Sequence, residues 1–203
     1  MALVDQYAGV IFDYGGVLVA HQTAADVQQL AALAEMPVDQ FSDLYWVDRA
    51  AYDKAAVSGE EYWQRIAESA GRRFTAEQVQ QLTEADVASW LKFDEQMYEF
   101  ANRLKDSGKR IAVLSNMPKD LGETLKSRTK GFEPFEHLTL SYEVNCVKPN
   151  PDIYEHCVAG IGLKPSDTLF LDDRQENIEA AKRLGIYAIQ FTSREEVLPG
   201  LTA

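Results

Sequence analysis

Cysteine is nearly absent from this 203-residue sequence: only Cys146 and Cys157 occur, and they form no CxxC pair. That excludes a disulfide scaffold and a thiolate metal knuckle, and suits a reducing compartment with two free thiols. Positive charge is also scarce. Twenty Lys and Arg stand against 32 Asp and Glu, a formal net charge of −12. Such an excess repels phosphate backbones and anionic bilayers, so neither nucleic acid nor membrane is expected as a partner. No apolar run approaches the ~18 residues of a membrane span. The first residues, Met1-Ala2-Leu3-Val4-Asp5, lack the basic-then-apolar layout of a secretory signal, so a cytoplasmic setting is expected. Internal repeats and low-complexity tracts are missing as well. What remains is 46% hydrophobic and 26% charged. That mix carries enough apolar mass for one core and a modest insertion.

Two textures alternate along the chain. Short apolar, β-branched runs at residues 8–12, 110–114, 138–140, 168–171 and 187–191 read as strands. Helical patterns separate the later ones. Asp94 caps a helix through Met97, Phe100, Ala101 and Leu104, with Gly108 as its stop. Pro151 starts a helix through Ile153, Tyr154 and Cys157, and residues 177–184 form another that Gly185 ends. Strand and helix in alternation predict an α/β fold, a parallel sheet with helices on its faces. From Ala20 to about Trp90 the rhythm breaks. Three capping boxes start there, at Thr23–Asp26, Ser58–Glu61 and Thr75–Gln78, and apolar residues recur at helical spacing. This predicts a block of about four helices inserted between the first two strands.

Ligands of an open parallel sheet bind beyond the carboxyl ends of its strands. Asp13 follows the first apolar run, and Ser115 and Asn116 follow the second. Lys148 and Pro149 lie beyond the third, and Asp172 and Asp173 follow the fourth. Three carboxylates, a hydroxyl, an amide and an ammonium would meet on one edge. Hard Mg²⁺ takes carboxylate oxygens and keeps positions open for phosphate and water. A serine hydroxyl and a lysine can hold phosphoryl oxygens, and one carboxylate can attack phosphorus. Each piece has a plainer reading alone. Tyr14-Gly15-Gly16 suits a hairpin turn, Ser115-Asn116 a helix cap, Lys148 a solvated surface, and Asp172-Asp173 a helix N-terminus. Their common position at successive strand ends favours a shared site.

The chain resembles the haloacid dehalogenase-like superfamily of hydrolases over essentially its whole length. "VIFDYGGVL" is similar to that family's first motif, with Asp13 as nucleophile. "IAVLSN" is similar to the second, with Ser115; "VKPNPDIY" to the third, with Lys148; and "TLFLDDRQENIEAAKRLG" to the fourth, with Asp172 and Asp173. The resemblance implies a Rossmann-like core over residues 1–19 and 92–203, and a helical cap over 20–91. It also implies Mg²⁺ and phosphoester hydrolysis through an aspartyl phosphate. The metal would be held by Asp13, the backbone carbonyl of Gly15, Asp173 directly, and Asp172 as ligand or water-holder. Ser115, Asn116 and Lys148 would bind the substrate, a small phosphorylated metabolite, in a monomer or homodimer.

One departure stands out. Most phosphatases of the family carry Asp-x-Asp in the first motif, and here the sequence is Asp13-Tyr14-Gly15. The missing acid would protonate the leaving oxygen, help typically worth about 10²–10⁴ in rate. Three accounts follow. The enzyme could favour good leaving groups, as sugar-1-phosphate phosphatases with Asp-x-Gly-Asn do in the branch this sequence is similar to. His21 could stand in, against its plainer reading as a surface or hinge histidine. Or the protein binds phosphometabolites in a regulatory role with weak or no turnover. A 2-haloacid dehalogenase is a fourth option, set back because that branch reads Asp-x-Tyr-Gly-Thr. In the cap, Tyr45, Trp46, Tyr52, Trp63 and Trp90 could face sugar rings or simply fill the cap's own core.

Overall fold

A computed structural model describes residues 2–201. Five strands form one parallel sheet in the order β3-β2-β1-β4-β5. They are β1 (Gly9–Phe12), β2 (Arg110–Ser115), β3 (His137–Leu140), β4 (Thr168–Asp172) and β5 (Tyr187–Gln190). All five fall where the apolar runs predict them, within one residue at each end. β1 is central, and its residues pair in register with β2 from Gly9↔Arg110 to Phe12↔Val113. On its other side the pairing runs from Gly9↔Thr168 to Phe12↔Leu171. The strands are continuous apolar runs because both sheet faces are covered. Val10 and Phe12 point into one cluster with Val113 and Leu171, and Ile11 points into the other with Ala112 and Phe170.

The core helices are α6 (Glu95–Asp106), α7 (Lys119–Arg128), α8 (Ser141–Val144), α9 (Pro151–Gly160), α10 (Gln175–Arg183) and α11 (Arg194–Leu201). Asp94 caps α6 by accepting from the Met97 amide at 3.1 Å. Gly108 and Gly185 end α6 and α10 with φ of +86° and +81°, backbone that suits glycine. Helix α7 begins beyond the cap that Ser115-Asn116 suggested, and the Asn116 side chain bonds the Lys148 backbone instead. Pro118 stands at its N-cap with no side-chain hydrogen bond, and Gly122 lies mid-helix. That glycine is there for space: a Cβ on it would sit 2.3 Å from the Tyr142 ring.

The insertion between β1 and β2 holds five helices rather than about four. They are α1 (Ala24–Leu33), α2 (Val38–Val47), α3 (Arg49–Asp53), α4 (Gly59–Ser69) and α5 (Ala76–Ser89). The extra one, α3, is a single turn after a kink at Asp48, too short to show a period. All three expected capping boxes form, with Thr23, Ser58 and Thr75 each accepting from the amide three residues on. The block has its own apolar cluster around Phe41, Tyr62, Trp63 and Leu82, separate from the two sheet clusters. Two bonds tie α3 to the core. Tyr52 donates to Asp120 on α7 at 2.7 Å, and Ser141 donates to the Asp53 carbonyl at 2.6 Å. Among the described residues, no helix is long and apolar enough to cross a membrane.

Candidate active site

The central position of β1 decides the site. Its neighbours β2 and β4 end beside it, so Asp13, Ser115 and Asp172 come from three adjacent strand ends. The loop before α9 brings Lys148 among them. Its ammonium sits 2.8 Å from Asp13 Oδ1 and 2.6 Å from Asp172 Oδ2, and it donates to the Leu114 carbonyl at 2.9 Å. All three donor hydrogens are used, and the side chain is buried. A buried lysine is tolerable only with such partners. Burial lowers its proton affinity, but Asp13 and Asp172 outweigh that and raise its pKa.

The two carboxylates beside it differ. Burial drives the Asp13 pKa up to about 7, against the pull of Lys148 and with repulsion from Asp172 and Asp173 added. Burial also pushes Asp172 up, but Lys148, the Arg174 amide and Asn177 overcome it and hold that carboxyl below its ordinary value. The Arg174 amide donates to Asp172 Oδ1 at 2.8 Å, and the Asn177 amide reaches both oxygens at 2.9 and 3.0 Å. Asp172 is therefore a fixed anion. Among the described residues Asp13 accepts only the Tyr14 amide, at 2.6 Å, besides Lys148. It is the less satisfied carboxylate and the better placed to react.

The other expected residues take distinct positions. Asn116 spends its side chain on the Lys148 backbone, donating to its carbonyl at 3.0 Å and accepting from its amide at 2.8 Å. This clamp holds the lysine in place. Ser115 is buried at the end of β2 and lines the site. Asp173 is half-buried, and its Oδ2 lies 3.4 Å from His21 Nε2. That contact raises the His21 pKa. Asp13, Asp172 and Asp173 each offer an oxygen within 4.8 Å of the other two. The Gly15 carbonyl accepts no hydrogen bond among the described residues. This all-oxygen donor set fits a hard divalent cation such as Mg²⁺. The turn after Asp13 is tight, with Gly16 at φ +73° and its amide bonded to the Val19 carbonyl at 2.9 Å. A Cβ on Gly15 would meet the Trp90 ring at 3.2 Å.

A cavity of about 840 Å³ opens above these residues, between the sheet edge and the inserted helices. The five cap aromatics divide there. Tyr45, Tyr52 and Trp63 are buried, whereas Trp46 and Trp90 line the cavity, Trp46 being 55% exposed. Sequence reasoning missed the polar part of this wall. Arg49 is buried, donating from Nε to Asp53 at 2.8 Å and from Nη1 to Asp86 at 3.1 Å. Tyr45 and Gln22 complete the group. Burial opposes the Arg49 charge, but Asp86, Tyr45 and Asp53 more than restore it. Burial also raises the Asp53 pKa, with Arg49 acting against it. The i,i+4 spacing of Arg49 and Asp53 is that of an ordinary exposed helix pair, so nothing in the sequence marks it as buried. Asn177 also escaped notice; its place one helical turn after an acidic strand end is the signal that could have found it.

Comparison with known proteins places the chain in a family. Residues 7–185 match the family model described as haloacid dehalogenase-like hydrolase. A D-ribitol-5-phosphate phosphatase of Bacteroides thetaiotaomicron is 27% identical, over 89% of this chain and 90% of its own. A sesquiterpene phosphatase of Aspergillus oryzae is 22% identical, over 92% and 90%. Among solved structures, a family enzyme from B. thetaiotaomicron in complex with magnesium and inorganic phosphate superposes with a TM-score of 0.78. It shares 20% identity and covers 94% of this chain and 97% of its own. The chain belongs to the haloacid dehalogenase-like hydrolases.

Proposed function

We propose that this protein is a Mg²⁺-dependent phosphatase acting on a small phosphorylated metabolite through an aspartyl phosphate on Asp13. The observation that carries it is the buried Asp13–Lys148–Asp172 cluster with Asp173 beside it. Relatives along most of the chain are phosphatases, one named for D-ribitol 5-phosphate and one a sesquiterpene phosphatase. Asp13, Asp173, Asp172 and the Gly15 carbonyl would hold the metal. When bound, the ion supplies positive charge against the phosphoryl oxygens and the attacking carboxylate. Lys148, exchanging its Asp13 contact for a phosphoryl oxygen as Asp13 attacks, and Ser115 hold the remaining phosphoryl oxygens, and Asn116 keeps the lysine in position. One Asp13 oxygen attacks phosphorus, and the P–O bond to the leaving group breaks. Water then attacks the same phosphorus, releasing inorganic phosphate and the Asp13 carboxylate. Asp172 stays charged and keeps Lys148 protonated throughout.

The leaving oxygen lacks the usual acid, because Gly15 has no side chain and Trp90 packs over its α-carbon. This favours leaving groups of low basicity, such as the hemiacetal oxygen of a sugar 1-phosphate. The charge balance and the two free thiols suit a cytoplasmic enzyme. The test is phosphate release with and without Mg²⁺ from matched sugar 1-phosphates and 6-phosphates, acyl phosphates and ribitol 5-phosphate, alongside Asp13→Asn. Mg²⁺-dependent turnover favouring 1-phosphates and lost in the variant is the expected result. Full turnover without the Asp13 carboxylate would refute the mechanism. Phosphate binding with no turnover on any substrate would support a binding protein instead.

A further inference from the structure

The buried cation on the cap side of the cavity looks at first like a receptor for a second negative charge on the substrate. Its surroundings argue otherwise. Arg49 is already met by two carboxylates, Asp53 at 2.8 Å and Asp86 at 3.1 Å. Arg174, the other cation on that wall outside the phosphoryl site, is paired with Glu176 at 2.5 Å. Lys148 is held by Asp13 and Asp172. No cation of the cavity is left without an anion, and the Arg49 group carries one carboxylate more than it has cations.

What the wall does offer is hydrogen-bonding capacity of both signs. Arg49 uses Nε and Nη1, and Nη2 has no partner among the described residues. Asp53 engages one carboxylate oxygen and leaves Oδ2 unengaged. Gln22 spends its amide nitrogen on Tyr45, Asp86 and Ser89, at 3.3, 3.3 and 2.8 Å, and leaves its oxygen unengaged. All three residues line the cavity, and neither Arg49 Nη2, Asp53 Oδ2 nor the Gln22 oxygen is a sealed, unsatisfied atom. One donor thus stands with two acceptors. A hydroxyl donates and accepts and can satisfy both kinds. A carboxylate or phosphate only accepts, so it would meet the Asp53 and Gln22 oxygens without a proton between them. Like charges brought together on this wall, with polar groups left unpaired, cost more than the one Arg49 contact returns.

Resting on the phosphatase reading above, we infer that the Gln22–Arg49–Asp53 wall selects a leaving group whose far end is neutral and hydroxyl-bearing. It discriminates against monoesters that carry a second anion there. The role is specificity-determining, since among the described residues the side chains of the three bond to one another, Tyr45, Asp86 and Ser89 and to none of Asp13, Ser115 or Lys148.

Two matched pairs of substrates test it, each differing only by a terminal CH₂OH against COO⁻. One pair is glucose 1-phosphate and glucuronate 1-phosphate; the other is ribitol 5-phosphate and 5-phosphoribonate. kcat/KM is measured for the wild type and for Asp53→Asn, with p-nitrophenyl phosphate as a substrate that has no distal polar end. The wild type is expected to favour the neutral member of each pair it turns over by at least tenfold. Asp53→Asn is expected to narrow that preference at least threefold, through KM more than kcat. Equal or inverted preference in the wild type overturns the inference, whether or not the variant folds. So does an unchanged ratio in a folded Asp53→Asn, or turnover of p-nitrophenyl phosphate with none of the four sugar and polyol esters. Failure on p-nitrophenyl phosphate as well removes the phosphatase reading itself, and the inference with it.

Discussion

Removing the proposed nucleophile should stabilise the metal-free protein. Asp13 has its pKa raised by burial from 3.8 to about 7. The unfolded chain therefore loses this proton near pH 4, while the folded chain keeps it up to about pH 7. Between those values the native state binds more protons than the unfolded one, so stability falls as pH rises through the window. At 1.36 kcal/mol per pH unit the full loss is about 4 kcal/mol. Asp13→Asn cannot ionise and escapes it. Asp172 titrates in the opposite sense, but it is present in both proteins and cancels to first order. The assay is urea unfolding with EDTA from pH 5.5 to 8.5, clear of the pI near 4.7. Across that range the variant should gain about 2 kcal/mol on the wild type, or roughly 4–8 °C in Tm. Adding Mg²⁺ should close the gap by stabilising the wild type, since a ligand of the native state adds to its stability. A gap that stays constant with pH would refute the reasoning, because the charge of Asp13 would then cost the fold nothing.

Other substitutions probe the rest of the site. Lys148→Met leaves Asp13 and Asp172 without their shared cation; it should cost about 3–5 kcal/mol in urea unfolding at pH 8. The same change should lower kcat by about 10² or more in a phosphate-release assay, as expected for losing a charged donor to the reacting group. Gly15→Asp alone should not raise activity, because its Cβ would lie 3.2 Å from the Trp90 ring. Gly15→Asp with Trp90→Ala should raise kcat on sugar 6-phosphates by about 10-fold or more, since the new carboxyl has room to act as acid. Tyr52→Phe removes the bond from the cap to Asp120 on α7. It should raise KM several-fold with little change in kcat, and an unchanged KM would show that this tie does not hold the cap over the site.

Much of the scaffold is legible in the amino-acid order because its signals are local. Every strand is an apolar run ended by a polar residue or a glycine, and the capping boxes at Thr23, Ser58 and Thr75 need only four consecutive residues each. The proposed chemical residues are legible for a related reason: Asp13, Ser115 and Asp172 follow apolar runs that must be strands, and a parallel sheet gathers strand ends on one edge. Helix α3 is not legible, since it is a single turn, and the start of α7 is misplaced, since it begins after a proline without the side-chain cap that Ser115-Asn116 suggested.

What only the tertiary structure decides is who partners whom. Residue order does not say that Lys148 bridges Asp13 and Asp172, that Asn116 serves the Lys148 backbone, or that Trp90 fills the space over Gly15. It does not distinguish Arg49, buried between Asp53 and Asp86, from any solvated arginine on a helix. Local sequence sets backbone conformation, because propensity and capping act over a few residues. Burial and charge pairing join segments far apart in the chain, and their energies exist only once the sheet and the inserted helices have packed together.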